Sequence, residues 1–565
     1  MVGVSFLLIA LAGRLVFIDT VLADDLTQFA RSQQQSATII PARRGMILDV
    51  RGRVVASSET RPDVFVDATL VTDVDRLAAK LSARTNEPAE FIAEKINARR
   101  GSRFVVVVRE VDDVTRDAVT AMGEPAVGLS HRSVRSYPLH ESMAHILGWV
   151  GRDGKGMEGI ELQYDKHLRG IPGWRGTIRD ARRRAVGRSA RAPIPAVDGG
   201  HIVLTIDAEI QRITENALAR AVQDKRAESG VAIVMSPRTG EVRAMACFPT
   251  FDVNDAPSVP AALRRNRTVT DPTEPGSTFK PIIMSSALEG GFVSKTEQID
   301  CEMGRLRLGR RVVKDTHPHG LLDVRGIIAK SSNIGMTKIG LRMGNKVLYE
   351  TVRRFGFGSK TQIGFPGEAR GLVNPLRKWT RTSTPSVSYG YEIGVTPLQL
   401  ITAYVGLIND GVLLRPRLVR AMLDANGEVE KEFVDPEPVR RVASTQVARF
   451  VTRELMRAVV EEGGGHRARS DLYSVMGKTG TAKLLFKDRP VYEPHAYLGT
   501  FVGAAPVGSP ELVAMVMVRR PDRNFAYYGG AVAAPAVKEI LERSLAYLGV
   551  LPDRPASAQL ATYRP

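Results

Sequence analysis

The sequence predicts a mixed α/β fold in which a membrane anchor precedes two domains. Three observations predict it: an apolar run at the N-terminus, a turn-rich break near residue 197, and strand patterns at both ends of the C-terminal half with helical patterns between them. At 565 residues the chain is too long for one ordinary core. Its hydrophobic content of 43% and charged content of 25% are those of a folded protein.

The first segment, residues 1–23, is almost wholly apolar. Its length suits a bilayer span of about 20 residues, although Arg14 and Asp19 interrupt it. A cleaved signal peptide is the alternative, because small and apolar residues before Asp24 resemble a cleavage site. We predict an uncleaved, single-pass anchor in the cytoplasmic (inner) membrane, with the bulk of the chain on the extracytoplasmic side.

Residues 24–196 are predicted to form a small α+β domain. Its patterns are two short strands around a turn at residues 45–56, helical spacing from Val74 to Ala98, a β-prone run from Phe104 to Val108, and a helix from Val111 to Met122. These elements carry no chemistry of their own.

The second domain is placed at residues 197–550, followed by a frayed tail at 551–565. Its predicted elements are a strand at 201–205, a helix at 207–224, a hairpin at 231–235 and 241–246, strands at 498–504 and 512–518, and a closing helix at 531–548. Strands at both ends of the domain predict a sheet assembled from segments that are distant in sequence.

The composition excludes several function classes. The net charge of +18 arises from scattered Arg-rich clusters without a recognised nucleic-acid-binding module, so we expect no nucleic-acid partner. Cys247 and Cys301 have no Cys or His at metal-ligand spacing and are predicted to be free, partly buried thiols. His317 and His319 lack a second cluster that would complete a coordination sphere, so we expect a loop and no metal.

Three short patches occur in a fixed order along the C-terminal half and are predicted to form one active site. They are Ser277-Thr278-Phe279-Lys280, Ser331-Ser332-Asn333 and Lys478-Thr479-Gly480-Thr481. Each alone also fits a capping serine, a polar helix junction or a tight turn. The ordered triple in an α/β context favours a common site.

The first patch has the pattern of a nucleophile and its base. A serine and a lysine three residues apart share one face of a helix, so the Lys280 amine can take the proton of the Ser277 hydroxyl. The turn residues 274–276 place Ser277 at the start of a predicted helix, 278–288, whose free N–H groups favour a developing oxyanion.

The other two patches supply proton transfer and substrate contacts. From a helix junction, Ser331 would shuttle a proton and Asn333 would hold a substrate amide. Lys478 would supply positive potential. For the rest of the third patch we predict that the hydroxyls of Thr479 and Thr481 grip a substrate carboxylate and that Gly480 lets a substrate backbone approach an edge strand.

With these three patches the chain resembles the class B penicillin-binding proteins, the monofunctional peptidoglycan transpeptidases. Further matching segments are Arg44-Gly45 with Asp49, 135–138, 156–161, 204–207, 389–391, 396–399 and 528–530. The resemblance implies a transpeptidase domain with a mainly antiparallel central sheet flanked by helices. It also implies that the N-terminal α+β domain is an elongated, non-catalytic pedestal of the dimerisation type.

The resemblance implies an acyl-transfer mechanism without metal or organic cofactor. Ser277 would attack the D-Ala-D-Ala end of a peptidoglycan stem peptide, and the N–H groups of Ser277 and Thr481 would form the oxyanion hole. Ser331 and Lys478 would relay the proton to the leaving amine, and β-lactams would acylate Ser277.

The residues Ser331-Ser332-Asn333 followed by Ile334-Gly335-Met336 favour the division-specific, septal enzymes over the elongation ones. Implied partners are a membrane protein such as a SEDS-type glycosyltransferase and other divisome proteins. The alternatives are an elongation enzyme, a β-lactamase or D,D-carboxypeptidase, and a non-catalytic β-lactam-binding scaffold.

Overall fold

The computed structural model describes residues 2–20, 35–40, 42–179, 185–188, 192–309, 311–486, 489 and 491–554. Helix α1 (Val2–Thr20) lies within the predicted anchor. In these ranges no helix combines the length and the apolarity that crossing a membrane requires. The proposed cleavage site before Asp24, and the predicted tail from residue 555 onward, lie outside the described residues.

The N-terminal half contains short strands and helices. Its strands are β1 (Gln35–Ile40), β2 (Ile47–Leu48), β3 (Val54–Val66), β4 (Val105–Val108), β5 (Val127–Ser136), β6 (Gly173–Arg179) and β7 (Ala185–Arg188). Its helices are α2 (Val74–Ser82), α3 (Ala89–Asn97), α4 (Asp113–Thr120), α5 (Ala144–Leu147), α6 (Gly159–Gln163) and α7 (Asp165–Leu168). The predicted hairpin at 45–56 is confirmed as β2 and the start of β3.

The helical pattern predicted from Val74 to Ala98 is two helices, α2 and α3, joined by residues 83–88. The predicted helical pattern is therefore divided between two helices, and Pro88 stands at the N-terminus of the second one, α3. A proline lacks the N–H of a helix interior, and its ring disfavours helical geometry in the preceding residue.

The strands of the C-terminal half are β8 (His201–Leu204), β9 (Ser229–Met235), β10 (Val242–Phe248), β11 (Ile299–Asp300), β12 (Arg305–Leu308), β13 (Arg311–Lys314), β14 (Leu321–Leu322), β15 (Leu372–Val373), β16 (Ile393–Gly394), β17 (Val412–Leu414), β18 (Val419–Leu423), β19 (Val429–Glu432), β20 (Pro438–Arg441), β21 (Met476–Leu485), β22 (Tyr492–Ala505) and β23 (Leu512–Arg519). The predicted strands at 201–205, 231–235, 241–246, 498–504 and 512–518 are among them.

The helices of this half are α8 (Ala208–Gln223), α9 (Ala261–Arg264), α10 (Arg267–Thr270), α11 (Lys280–Glu289), α12 (Val324–Ala329), α13 (Asn333–Arg354, with a break at Gly344), α14 (Ser383–Ser388), α15 (Pro397–Ile408), α16 (Thr445–Arg449), α17 (Arg457–Glu461), α18 (Gly529–Val532) and α19 (Ala534–Tyr547). A π-helical segment (Phe450–Met456) joins α16 to α17, and short 3₁₀ segments, including Gly276–Phe279, punctuate the loops.

The central sheet of this half is antiparallel throughout, in the order β10-β9-β23-β22-β21. Helices α8 and α19 pack on one face, and α15, with α11 beside it, covers the other. Helices cover both faces, so the central strands β9 and β23 are buried along almost their whole length and are mostly apolar. The sheet joins the two ends of the domain, as predicted, and leaves β21 at an edge.

A second sheet passes from one half of the chain to the other, in the order β19-β18-β8-β2-β3-β4, with β5 paired to β3. Strand β2 runs parallel to β8, with Ile47 opposite Ile202 and Leu48 opposite Val203. The sheet therefore crosses the predicted boundary at residue 197 and couples the pedestal to the catalytic half through backbone hydrogen bonds.

A buried ion cluster lies beside this junction. The Arg44 Nε atom lies 2.6 Å from Glu161 Oε2 and Arg44 Nη1 lies 2.8 Å from Asp165 Oδ1. Arg135 Nε approaches Glu161 Oε1 at 2.7 Å, and the Tyr137 hydroxyl donates to the same oxygen at 3.4 Å. Glu161 is fully buried. Three of the segments that carry the family resemblance, those with Arg44, 135–138 and 156–161, thus meet at one carboxylate.

A second cluster fixes the start of α8. Asp207 caps this helix by accepting from the Glu209 N–H, and its carboxylate also binds Arg51 and Arg53. Arg53 in turn binds the buried Asp49. Because Arg51, Arg53 and Asp49 belong to the hairpin of the pedestal, these ion pairs hold the two halves in register.

We expect Glu161→Gln to reduce the free energy of unfolding by about 3 to 5 kcal/mol, because it leaves the buried Arg135 guanidinium without its carboxylate and removes one of the two carboxylates that bind Arg44. Denaturant titration of the extracytoplasmic portion measures this. Glu59→Gln is the matched control, since it breaks an exposed pair with Arg61 and should cost below about 1 kcal/mol. Equal losses of unfolding free energy in the two variants would contradict a stabilising role for the buried ion cluster.

Candidate active site

The nucleophile segment is a 3₁₀ turn (Gly276–Phe279) that continues directly into α11. The predicted α-helix therefore begins at Lys280, slightly later than expected. The Gly276 N–H donates to Gly390 O at 3.0 Å, and the Tyr404 hydroxyl donates to Thr278 O at 2.6 Å. Tyr404 is fully buried, so the turn that presents Ser277 is anchored from beneath.

Close backbone packing also fixes this turn. Gly390 has a φ of +89°, and a Cβ added there would lie 2.1 Å from Gly276 O. A side chain is therefore excluded at Gly390 both by conformation and by space. Within the turn the Thr278 hydroxyl donates to Pro275 O at 2.6 Å. Ser277 itself is half-buried and open to the cleft.

Lys280 binds the middle patch. Its Nζ atom donates to Ser331 O at 2.5 Å, to Ser331 Oγ at 3.1 Å and to Asn333 Oδ1 at 2.8 Å. Its side chain is fully buried. In the part of the chain that the structure describes, the Ser277 hydroxyl has no hydrogen-bond partner. The middle patch thus holds the Lys280 amine, and the structure shows no hydrogen bond between this amine and the Ser277 hydroxyl.

The middle patch forms the N-terminus of α13. Ser332, fully buried, is the N-cap and accepts from the Gly335 N–H at 2.9 Å. The amide of Asn333 accepts from Lys280 and donates from Nδ2 to Lys314 O at 2.9 Å. One N–H of this amide remains for a further partner.

Lys478 reaches the same hydroxyl from strand β21. Its Nζ atom lies 3.0 Å from Ser331 Oγ and donates also to Thr479 O at 3.0 Å and Thr479 Oγ1 at 3.3 Å. Its side chain is fully buried. Two lysine amines therefore flank one serine hydroxyl, which makes Ser331 the bridge between the first and third patches.

Burial controls the charge of both amines. Desolvation lowers the pKa of Lys478 to about 7. Desolvation also lowers the pKa of Lys280 far below its ordinary value, and the neighbouring Lys478 lowers it further. Removing an ammonium group from water disfavours its charged form, and a second positive charge nearby has the same effect. Neutral amine is therefore accessible at physiological pH.

Gly480 packs closely against the nucleophile turn. A Cβ added at this residue would lie 2.8 Å from Thr278 Cγ2 and 3.2 Å from Pro275 O. The missing side chain therefore lets the edge strand β21 lie directly on the nucleophile turn, and the approach of a substrate backbone to this glycine stays a prediction. Next to it, Thr481 Oγ1 accepts from the Gly529 N–H at 3.1 Å.

Comparison with known proteins identifies the family. A family model described as penicillin binding protein transpeptidase domain matches residues 230–542, and one described as penicillin-binding protein dimerisation domain matches residues 39–204. The chain belongs to the class B penicillin-binding proteins. These are the peptidoglycan D,D-transpeptidases that the sequence resemblance indicated, so both the predicted family and the predicted enzyme class are confirmed.

Several known proteins align with this penicillin-binding protein over nearly its whole length. It is 33% identical to the probable peptidoglycan D,D-transpeptidase PenA of Neisseria meningitidis, over 98% of this chain and 94% of that protein. It is 32% identical to the peptidoglycan D,D-transpeptidase FtsI of Escherichia coli, over 97% and 91%. Penicillin-binding protein 3 of Mycobacterium tuberculosis, solved with aztreonam, is 27% identical over 92% and 99%, with a TM-score of 0.70.

Sequence reasoning missed several residues of this penicillin-binding protein's site. The Asp315 carboxylate accepts hydrogen bonds from the Ser332 hydroxyl and from the backbone N–H of Asn333. Tyr404 supports the nucleophile turn, and Cys301 lies 3.3 Å from Ser332 Oγ. These residues belong to segments with no spacing relation to the three patches. Only the tertiary fold brings them there.

The remaining predictions concern the thiols and histidines. Cys247 and Cys301 are free, as predicted, and both are fully buried where partial burial was expected. Burial raises the pKa of both thiols. Across the described ranges, no group of three or more His, Cys, Asp or Glu side chains is arranged to hold a metal ion.

We expect Gly480→Ala to slow acylation of the enzyme by a fluorescent penicillin, because the added methyl group meets the methyl group of Thr278. Overpacking of this kind costs about 1 to 3 kcal/mol. The double variant Gly480→Ala with Thr278→Ser removes the opposing methyl group and keeps the hydroxyl bond to Pro275 O. It should recover most of the acylation rate. Equal slowing in the single and the double variant would contradict this packing role.

Proposed function

We propose that the enzyme cross-links peptidoglycan stem peptides through an acyl-enzyme at Ser277, and that β-lactams acylate the same hydroxyl. The observation that carries the proposal is the convergence of two buried lysine amines on Ser331, next to the turn that bears Ser277. A neutral amine in this position can serve as a general base for a serine nucleophile.

In the acylation step, Ser277 Oγ forms a bond to the carbonyl carbon of the penultimate D-Ala. Its proton passes to neutral Lys280. The C–N bond to the terminal D-Ala breaks, and a proton that is relayed through Ser331 and Lys478 goes to the leaving amine. The N–H groups of Ser277 and Thr481 stabilise the oxyanion of the tetrahedral intermediate.

Substrate binding falls to the remaining residues of the second and third patches. The free N–H of the Asn333 amide binds a backbone carbonyl of the stem peptide, and the Thr479 and Thr481 hydroxyls hold the terminal carboxylate. Gly480 keeps the strand that carries them close to Ser277. In the second step an amine of a neighbouring stem peptide attacks the ester, and the Ser277 oxygen leaves with the proton that this amine gives up.

The cellular role we propose is septal wall synthesis during division. The Ser331-Ser332-Asn333 patch and the similarity to FtsI of Escherichia coli support it over an elongation role. For the chain as a whole we propose an anchor at residues 1–23 in the cytoplasmic membrane, a pedestal at 24–196, an extracytoplasmic transpeptidase domain at 197–550 and a tail at 551–565. Partners would be a SEDS-type glycosyltransferase and other divisome proteins.

Labelling with a fluorescent penicillin tests the reaction. We expect a covalent adduct on the wild-type protein that persists for many minutes and whose intact mass equals the protein plus the whole antibiotic. Ser277→Ala should give no adduct, because the nucleophilic oxygen is gone. Ser285→Ala, which removes a buried hydroxyl elsewhere on α11, is the matched control and should still be labelled.

Other outcomes would favour the alternatives. An adduct that hydrolyses within seconds would indicate a β-lactamase or D,D-carboxypeptidase, which transfers the acyl group to water. No adduct on a folded wild-type protein would indicate a non-catalytic scaffold. Depletion in cells separates the two wall-synthesis roles: filaments indicate a septal enzyme, and rounded cells an elongation enzyme.

Lys280→Arg tests the base. We expect it to reduce the acylation rate constant by about 10² to 10⁴, because a guanidinium keeps its charge at any accessible pH and cannot accept the Ser277 proton. Stopped-flow measurement with a chromogenic penicillin gives the rate. Lys346→Arg, at an exposed residue of α13, is the control and should behave as the wild type. If Lys280→Arg kept the wild-type acylation rate constant, a residue other than Lys280 would have to be the base.

A further inference from the structure

Ser331 has an unusual backbone conformation. Its φ is +59°, in the left-handed region that residues other than glycine rarely adopt. This conformation directs both its carbonyl oxygen and its hydroxyl at Lys280. Because a left-handed residue of this kind is less stable than a right-handed one, the segments on either side of Ser331 have to hold it.

One of these restraints is on the preceding helix. The Ser332 N–H donates to Ile327 O of α12 at 2.9 Å. The other restraint is Asp315, in the loop after β13. Its carboxylate accepts from Ser332 Oγ at 2.6 Å, from the Asn333 N–H at 2.5 Å and from the Ile334 N–H at 3.1 Å. Three donors from consecutive residues thus converge on one carboxylate.

The hairpin of β12 and β13 extends this restraint to the side chains. Lys314 O, next to Asp315, accepts from Asn333 Nδ2, so that Asn333 Oδ1 points at Lys280. At the other end of β13, Arg311 donates to the hydroxyl of Tyr389 at 2.8 Å and to Ser386 Oγ at 2.6 Å. The hairpin is therefore tied to α14 at one end and to the middle patch at the other.

Asp315 also acts electrostatically on the buried Lys280 amine. The charged and titratable groups that act on Lys280 are Lys478 from β21, Asp315 after β13 and the Cys301 thiol. Burial and Lys478 lower the pKa of Lys280, whereas Asp315 and Cys301 oppose that decrease. The charge of Lys338, on α13, acts to lower the pKa of the Cys301 thiol. The Lys338 amine also forms an ion pair with Glu302 at 2.6 Å.

We propose that Asp315 is a positioning residue for acylation: its carboxylate holds Ser331 and Asn333 against Lys280. This inference rests on the proposed function for its catalytic meaning. It assigns Asp315 no contact with substrate. The residue acts through the N-terminus of α13, where a carboxylate is favoured by the free N–H groups and the helix dipole.

The test compares the full chain with Asp315→Asn and Asp315→Glu. Asparagine keeps the size but offers only a neutral, weaker acceptor to the donors of residues 332–334, so we expect the limiting acylation rate constant at high pH for a fluorescent penicillin to fall on the order of tenfold, equivalent to about 1.4 kcal/mol. Loss of the negative charge should also lower the pKa of Lys280. The pH of half-maximal acylation should therefore move to lower values. Asp315→Glu should recover most of the rate and the wild-type midpoint.

Asp73→Asn is the matched control. Asp73 caps helix α2 of the pedestal by accepting from the Arg76 N–H at 3.0 Å. Like Asp315, it is a carboxylate at a helix N-terminus, but it is far in sequence from the site. It should leave the acylation rate and its pH midpoint unchanged. A wild-type rate in Asp315→Asn, or a slower rate with an unmoved midpoint, would overturn the proposal, because a merely structural cap would not shift the pH dependence.

A second readout does not depend on turnover. The Lys280 Cε signal, labelled with ¹³C and assigned by its loss in Lys280→Arg, can be titrated by NMR in the wild type and in Asp315→Asn. A shift to lower pH in the variant supports the proposal, and coincident titrations overturn it. Failure of the wild type to form any adduct would instead count against the proposed function alone, so the two failures are distinguishable.

Discussion

The sharing of one serine hydroxyl by two buried lysine amines is the interaction on which the rest of the site depends. Lys280 and Lys478 approach Ser331 Oγ at 3.1 and 3.0 Å, and neither side chain is exposed. Two ammonium ions placed so close in a dry site would repel each other strongly, and each would lack its hydration shell. Neutralisation of one amine removes the repulsion and the desolvation cost of that amine. A neutral lysine is the form that a serine nucleophile requires from its base.

The surrounding fold keeps this arrangement closed. Strand β21 brings Lys478 to the edge of the central sheet, and Gly480 lets that strand lie on the nucleophile turn. Tyr404 and Gly390 hold the turn from beneath and from the side. On the pedestal side, the ion clusters around Glu161 and Asp207 and the sheet shared through β2 and β8 join the two halves. None of these contacts includes a reacting atom, but together they determine where the lysines meet.

The sequence predicted the parts of this structure that are encoded locally. The spacing of Ser277 and Lys280, the strands of the central sheet and the turn before the nucleophile all follow from short-range patterns. The break between α2 and α3 had a local signal as well, in Pro88, but apolar spacing alone hid it. What could not be predicted depends on long-range contact: Asp315 below the middle patch, and the methyl group of Thr278 against Gly480. Patterns along the chain do not specify which distant backbone a small residue accommodates.

The dependence of Ser277 acylation on pH tests the central claim most directly, because it reports the protonation of the base in the working enzyme. A chromogenic penicillin and stopped-flow mixing give the rate constant across the pH range in which the protein stays folded. With a lysine base whose pKa is lowered by burial and by a second amine, the rate should rise with pH and reach half its maximum well below about 10.4, the ordinary lysine value. A half-maximum at or above that value would contradict a neutral, buried lysine as the base.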